Sequence, residues 1–461
     1  MDRVIIMAAG EGTRMKSNIS KVLHKVVNKP LLRYVVDASE DAGIKEKIVI
    51  VGKNEEAVKS IFKDEVKYVK QEIGKGIPYG TGYAVMLAND HYNDEDNVLI
   101  LSGDVPLISS STISKLISHH ERIGNDATVL TAKFKDPTGY GRIYKDEKGD
   151  FIKIVEQKDC DDSQVKIDEI NSGIYIFNGK KLKDSLKKID TENAQGELYL
   201  TDVFQVLKID GSKIGTYMLE DNVEISGINN KVQLSEVDMI MRRKINEKLM
   251  NEGVILENPD SITIEKGVKI GKDTIIQSNT RILGDTEIGD NCFVGMNSQI
   301  VDSKIHDNVI IYSSFIEKSV IEEYTDIGPF ARLRPNAHLK QKVHIGNFVE
   351  VKNSEIGNGT KAGHLAYIGD AKLGQNINVG CGVVFVNYDG KNKFRSIIED
   401  DAFIGSNANI VAPVHVEKEG YVAAGSTITK NVKMGSLAIE RSDQLCIDGY
   451  VEMKKKRDAS K

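Results

Sequence analysis

The chain of 461 residues has no tryptophan, four cysteines and eight prolines. The cysteines (Cys160, Cys292, Cys381 and Cys446) stand far apart, with no CxxC pair and no spacing that suits a metal. They read as reduced thiols and not as a disulfide framework. No segment approaches the roughly eighteen apolar residues of a membrane span, and no cleavable signal opens the chain, so a cytoplasmic protein is expected. A basic excess is missing too: 62 Lys and Arg against 68 Asp and Glu leave a formal net charge of −6. Without surplus cations to neutralise a phosphate backbone, nucleic acid is excluded as the main partner. What is there, 40% apolar and 28% charged residues, suits an ordinary globular protein too long for one core.

Two periods divide the chain. Up to about residue 225, short apolar runs ("RVIIMAAG", "KIVIVG", "NVLILSGD", "ATVLTAK") alternate with amphipathic ones ("PLLRYVVDASEDAG", "EEAVKSIF", "YGTGYAVMLAND", "STISKLISHHE"). That alternation predicts a mainly parallel sheet wrapped by helices. Residues 229–251 then place Val232, Val237, Ile240, Met241, Ile245 and Leu249 at three- and four-residue spacings, the pattern of one amphipathic connecting helix. Beyond it the period becomes six. Ile264, Ile270, Ile276, Ile282, Ile288, Val294 and Ile300 form one unbroken series, and Ile398, Ile404, Ile410, Val416, Val422 and Ile428 another. Glycine follows many such positions, as at Gly271, Gly289, Gly346 and Gly405. This is a hexapeptide-repeat parallel β-helix, each unit supplying one inward aliphatic and one corner. The register slips near Ile305 and Ile316, and interruptions are expected at "PNAHLKQK" and "NYDGKNKFRS". The tail "EMKKKRDASK" reads as disordered.

Chemistry collects first near the N-terminus. "MAAGEGTRM" follows a strand and offers peptide N–H groups and Arg14 to a phosphate chain, with Lys21 in reach. Alone, such a turn is equally a plain strand-to-helix connection. Asp104 in "SGDVPL" also ends a strand, where open α/β sheets gather ligands, and a carboxylate opposite a phosphate loop suits a divalent cation.

The motifs "AAGEGTRM…KVLHK", "GTG", "GDVPL", "PTGYGRI", "IVEQKD", "EINSGIY" and "GINN" resemble sugar-1-phosphate nucleotidylyltransferases. Their coupling to "GPFARLRP", "GNFVEVKNSEIGNGTKAGHLAYIGDA", "NYDG" and "VAAGSTIT" narrows the resemblance, over residues 3 to about 445, to one family. That family joins an N-acetylglucosamine-1-phosphate uridylyltransferase to a glucosamine-1-phosphate N-acetyltransferase and supplies cell-wall precursors. The resemblance implies a Rossmann-like nucleotidyltransferase domain over 1–228, a linker helix over 229–250, and a left-handed β-helix over 251–461 with a flexible tail from about 452. It implies UTP and acetyl-CoA as co-substrates, Mg2+ as cofactor, and a homotrimer sharing the acetyl-transfer site between subunits.

Carried over residue by residue, the resemblance sets Met7, Ala8, Ala9 and Gly10 around the nucleotide, with Arg14 and Lys21 on its phosphates. Gly80, Thr81, Ser102, Gly103 and Asp104 line nucleotide and sugar, while Gly141, Glu156 and Asn171 hold N-acetylglucosamine. Asp104 and Asn229 ligate Mg2+. His364 is the implied base of acetyl transfer, histidine being the residue type suited to take a proton from an amine. Arg334, Lys352, Tyr367 and Asn378 take the sugar phosphate; Cys381, Asn387, Tyr388, Ser406, Ala424 and Arg441 take acetyl-CoA. The chain departs from the family at four points. Lys75 stands where a uracil-contacting glutamine is usual, leaving Gln71 as substitute, and Ser20 replaces a proline. Cys381 replaces an alanine, and Glu440 a serine beside Arg441. Two other readings compete: a nucleotidylyltransferase whose β-helix only oligomerises, and a non-enzymatic scaffold. Neither explains both Arg14, Lys21 and Asp104 on one sheet edge and His364, Lys352 and Tyr367 in one short segment.

Overall fold

The computed structural model describes residues 3–72, 74 and 77–460. The chain divides into two compact units, Met1–Met241 and Arg242–Lys461.

The first unit is built on a nine-stranded sheet. Its strands are β1 (Arg3–Met7), β2 (Glu46–Val51), β3 (Lys67–Lys70), β4 (Asn97–Ser102), β5 (Ala127–Lys133), β6 (Arg142–Lys145), β7 (Phe151–Val155), β8 (Glu169–Asn178) and β9 (Ile214–Met218). Along the sheet they run 9-5-8-4-1-2-3, with the β6–β7 hairpin attached to β8. The four strands around β1 are parallel, as the alternating pattern predicts. β8 instead runs antiparallel to both β4 and β5, so the sheet is mixed.

Successive residues of the central strands go to opposite faces. Val4, Ile6, Leu99 and Leu101 face one core with side chains of α1 (Leu31–Asp41), α2 (Glu55–Phe62) and α4 (Ser110–Ile123). Ile5, Val98 and Ile100 face the other with α3 (Thr81–Met86), α5 (Gly179–Leu186) and α6 (Asp202–Ile209). Met7 pairs with Ile50 on one side and Ser102 on the other. The carboxyl ends of three neighbouring strands therefore stop level, and their loops share one edge.

The helix expected over 229–251 is α7, Lys231–Asn251. Val237 and Met241 are buried in the first unit, and Leu249 joins the core of the second, while Val232 in the first turn is 68% exposed. In the second unit Asn246 is fully buried and donates to Pro259 O at 2.7 Å and Ile262 O at 3.0 Å.

The second unit is the left-handed β-helix of hexapeptide repeats, three parallel sheets of eleven, ten and nine short strands. Ile276 pairs with Val294 and Ile282 with Ile300, eighteen residues or three repeats per coil. The slips are coils shortened by one or two residues, Ile288 pairing with Ile305 and Ile300 with Ile316. "NYDGKNKFRS" is a true insertion, since Leu373 pairs with Ile398. "PNAHLKQK" is not. His338–Leu339 sits in its ladder and Ile327 pairs with Ile345 at the regular interval, because polar residues there occupy only outward positions. The tail also differs from expectation: Tyr450–Ala459 is an α-helix (α8) of strong helix formers that buries no side chain.

Corner glycines serve stacking and not a left-handed turn. A Cβ on Gly271, Gly289 or Gly346 would strike the next coil, whereas the positive φ falls two residues later, at Asp273 (59°), Asn291 (55°) and Phe348 (58°). Gly346→Ala therefore drives a methyl into Gly363 O and should lower stability by about 2–3 kcal/mol. Gly363→Ala, whose nearest neighbour lies 3.9 Å away, should cost far less. Denaturant unfolding of the two variants checks the contrast.

Candidate functional sites

At the carboxyl edge of β1, β2 and β4 a cavity of about 210 Å³ opens in the first unit. Met7, Ala8, Ala9, Gly10, Lys21, Gln71, Gly80, Thr81, Ser102 and Asp104 all line it, ten of the residues expected around the nucleotide. Gly103 is held beneath it, its N–H donating to Met7 O at 3.0 Å and leaving little room for a side chain. Gln71 is buried, with Nε2 3.5 Å from Gly80 O, so it reaches the cavity from the end of β3. Lys75 lies outside the described residues. Tyr79 and Glu197 line the same cavity without having been anticipated, because they arrive on irregular loops.

Four cations stand between residues 14 and 25, and it is their partners that separate them. Lys16 and Lys25 are exposed. Lys21 is half-buried, paired with Asp104, and donates to Asn229 Oδ1 at 2.9 Å; Arg14 Nη2 donates to the same oxygen at 2.9 Å. Ser102 Oγ donates to Asp104 Oδ1 at 2.7 Å and fixes the carboxylate. Asp104 and Asn229, 125 positions apart, thus converge on one point. Among the described residues no cluster of three or more His, Cys, Asp or Glu could hold a metal. One carboxylate and one amide oxygen is nevertheless the sparse oxygen set that Mg2+ takes when phosphates and water complete its shell.

The three residues expected to hold the sugar stand together. Asn171 N–H donates to Gly141 O at 2.9 Å, and a Cβ on Gly141 would lie 3.5 Å from Glu156 Oε2. Glu156 accepts from Thr201 Oγ1 at 3.1 Å, and burial raises its carboxyl above the ordinary value. Burial also pushes Asp202 up to about 6, reinforced by the nearby Asp190, Glu156 and Asp159.

In the second unit, Arg334, Lys352 and Tyr367 lie on successive coils of the ten-stranded sheet. Arg334 is paired with Glu350 at 2.8 Å, and Glu350 is in register with Tyr367. Asn387, assigned to acetyl-CoA, is buried here, donating to Asp370 Oδ2 at 2.5 Å and lying 3.4 Å from Tyr367 Oη. Lys393 on the inserted loop is an addition. It stands against Lys352, which holds its ammonium below the ordinary lysine value. Sequence could not single it out from its neighbours Lys391 and Arg395, since only the fold of the loop decides which cation comes against Lys352.

His364 is exposed at the end of strand Lys361–His364 in the eleven-stranded sheet. Its Nδ1 is 2.8 Å from Asn347 Oδ1, one coil below and in register. Asn378 opens the next strand of that sheet, paired with Lys361 and Phe403, and so stands on a different face from Arg334 and Lys352. Cys381, Ser406 and Ala424 form a column at one corner, tied by Asn407 N–H to Cys381 O at 2.7 Å and Gly425 N–H to Ser406 O at 2.8 Å. Arg441 joins it by donating to Ala424 O at 2.8 Å. Glu440 turns to the Thr427 N–H at 3.3 Å instead of to Arg441. Tyr388 is exposed at the base of the inserted loop, bridged to Lys393. All four cysteines are free thiols.

Fold and sites together define a sugar-nucleotide type nucleotidyl transferase fused to a hexapeptide-repeat transferase. Residues 3–254 match the nucleotidyl transferase family, 267–302 the bacterial transferase hexapeptide, and 396–430 the hexapeptide repeat of succinyl-transferase. The chain belongs to the family of the bifunctional protein GlmU. It is 48% identical to that protein of Clostridioides difficile strain 630, over 99% of this chain and 98% of the relative. It is also 48% identical to that of Caldanaerobacter subterraneus, over 98% of each. A solved putative glucose-1-phosphate thymidylyltransferase of Bacillus anthracis aligns over 52% of this chain and 96% of its own, at 21% identity and a TM-score of 0.44. Among the described residues, no helix is long and apolar enough to cross a membrane.

Asp202 gives a pH test of the first unit. An acid whose folded value is raised keeps its proton in the folded state after the unfolded chain has lost it. Its folding penalty therefore grows as pH climbs from about 4 to about 6 and persists above. Asp202→Asn should melt higher than the parent at pH 7–8, with the difference vanishing near pH 4; thermal unfolding across that range checks it.

Proposed function

We infer that the chain makes UDP-N-acetylglucosamine in two steps on two units. The second unit acetylates glucosamine-1-phosphate from acetyl-CoA; the first transfers UMP from UTP to N-acetylglucosamine-1-phosphate and releases pyrophosphate. The observation that carries this is the pairing of two anion-seeking sites. Arg14 and Lys21 flank a cavity edged by the glycine loop, and Lys352 and Lys393 crowd together near Arg334. A β-helix that only oligomerised would have no use for two adjoining ammonium groups.

In the first unit the sugar-phosphate oxygen attacks the α-phosphorus of UTP, and the bond to the bridging β-oxygen breaks. Catalysis of this kind rests on positioning and charge stabilisation. Arg14 and Lys21 meet the charge that builds on the departing pyrophosphate, and Glu156, Gly141 and Asn171 hold the sugar. Mg2+, held by Asp104 and Asn229, would supply further neutralisation of the nucleotide phosphates. In the second unit, Asn347 Oδ1 accepts from His364 Nδ1–H and leaves Nε2 with its lone pair. Nε2 takes a proton from the sugar amine as the nitrogen attacks the thioester carbon, and the coenzyme leaves as thiolate. Arg334, Lys352 and Lys393 bind the sugar phosphate. The column from Cys381 to Arg441 takes acetyl-CoA.

The exposed apolar residues Met296, Tyr312, Phe330, Phe348 and Leu365 follow five successive strands of the eleven-stranded sheet. Phe330 and Phe348 stack at 5.5 Å. The stripe supports a homotrimer, with further copies covering this corner beside His364. Phe348→Glu should then dissociate the assembly, read as a fall in mass by light scattering; an unchanged mass refutes this interface.

The two activities separate by mutation. Asp104→Ala should abolish pyrophosphate release and spare release of coenzyme A thiol, and His364→Ala should do the reverse. Loss of both together in a folded variant would defeat the two-site reading. Within the first site, Arg14→Ala should lower turnover on the order of a hundredfold, while Lys16→Ala changes it little. Steady-state kinetics of each half-reaction measures all four.

A further inference from the structure

The two oxygen donors assigned to the divalent cation already carry protein cations. Lys21 Nζ is ion-paired with Asp104 Oδ2 and donates to Asn229 Oδ1 at 2.9 Å, and Arg14 Nη2 donates to that same amide oxygen at 2.9 Å. The remaining carboxylate oxygen accepts from Ser102 Oγ. The Lys21 and Asp104 side chains keep only 15% and 14% of their exposure, so water and salt screen the pair weakly.

We propose that Lys21, with Arg14, is a built-in counter-cation that competes with the divalent ion for Asp104 and Asn229, so that metal enters together with nucleotide. This rests on the reading of Asp104 and Asn229 as metal ligands. A lysine and an arginine around one carboxylate leave the cluster net positive, and a dication approaching it meets repulsion as well as occupied lone pairs. Mg2+ also gives up its water reluctantly, and two protein oxygens are a small return. A triphosphate changes the balance. Its oxygens offer Lys21 and Arg14 better partners, which frees Asp104 and Asn229 while adding ligands for the metal. Metal and nucleotide then raise each other's affinity by the same factor. In the absence of nucleotide, the lysine holds the carboxylate and amide oriented without a metal.

Mn2+ alone is the probe, its binding followed by water-proton relaxation on the full-length protein without nucleotide. Lys21→Met should bind Mn2+ on the order of tenfold tighter than the parent, Lys21→Arg should stay near the parent, and the gain should vanish in Asp104→Ala/Lys21→Met. If Lys21→Met binds no tighter while Asp104→Ala still weakens binding to the parent, the competition is wrong and the ligand assignment survives. If the gain persists without Asp104, or Asp104→Ala leaves binding to the parent unchanged and Lys21→Met adds nothing, the ligand assignment falls and the inference with it. Circular dichroism melting of each variant separates these outcomes from misfolding.

Discussion

Register between parallel strands is the constraint on which both halves depend. A parallel ladder fixes which residue stands beside which, and a one-residue slip would turn every side chain to the other face. In the first unit, the alignment of Met7 with Ile50 and Ser102 makes three strands end together. The glycine loop, the loop carrying Asn54 and the turn carrying Asp104 therefore emerge at one level, and Asn54 ties two of them by donating to Ala8 O at 3.0 Å. In the second unit the same geometry repeats without helices. Asn347 lies under His364, and Glu350 under Tyr367, because coils of seventeen residues keep those pairs in step.

Much of this was legible because it is periodic. The six-residue series marks the inward positions, and Ile276, Ile282 and Ile300 are fully buried. Buried strands and amphipathic helices of the first unit also announce themselves, and α2 coincides with "EEAVKSIF". What escaped has identifiable causes. The antiparallel direction of β8 is set by its long connection and leaves no mark on its own apolar run. "PNAHLKQK" looked like an interruption because its polar residues hid an intact inward alanine and leucine, Ala337 and Leu339. Glu197 and Lys393 reach their sites on irregular loops, where no period exists to read. The resemblance to a family supplied the roles of most site residues; spacing alone could not have joined Asp104 to Asn229.

The glycine pattern separates two demands that meet at each corner. The glycine at a corner is not itself the left-handed residue, which is displaced two positions, onto Asp273, Asn291, Asn297 or Phe348. Glycine is needed where the rise between coils leaves no space for a Cβ. Asn and Asp then take the positive φ at modest cost, since their short polar side chains tolerate it. Phe330, Phe348 and Leu365 have no such tolerance, with φ of 61°, 58° and 47°. Bulky side chains held in that region are strained, and strain of this kind persists where surrounding structure imposes it. Here the backbone of two of them is clamped, Phe330 N–H donating to Ser313 O at 2.9 Å and Leu365 N–H to Asn347 O at 3.0 Å.

Electrostatics complete the division of labour. Many cations on this acidic chain face a carboxylate, as Lys269 faces Glu287 and Arg243 faces Asp260. Such exposed pairs add little stability. The sites break the pattern in two different ways. In the second unit like charges are pressed together, Lys352 against Lys393, a repulsion that an anion between them would relieve. At the nucleotidyl-transfer site, opposite charges are over-supplied on the cationic side, Arg14 and Lys21 sharing Asp104 and Asn229. The first arrangement stores its attraction for an anion as an unfavourable contact between lysines. The second keeps its carboxylate satisfied by Lys21 and Ser102. Both arrangements would favour an anion through what the protein leaves unbalanced, and the ladders beneath them fix the positions from which those charges act.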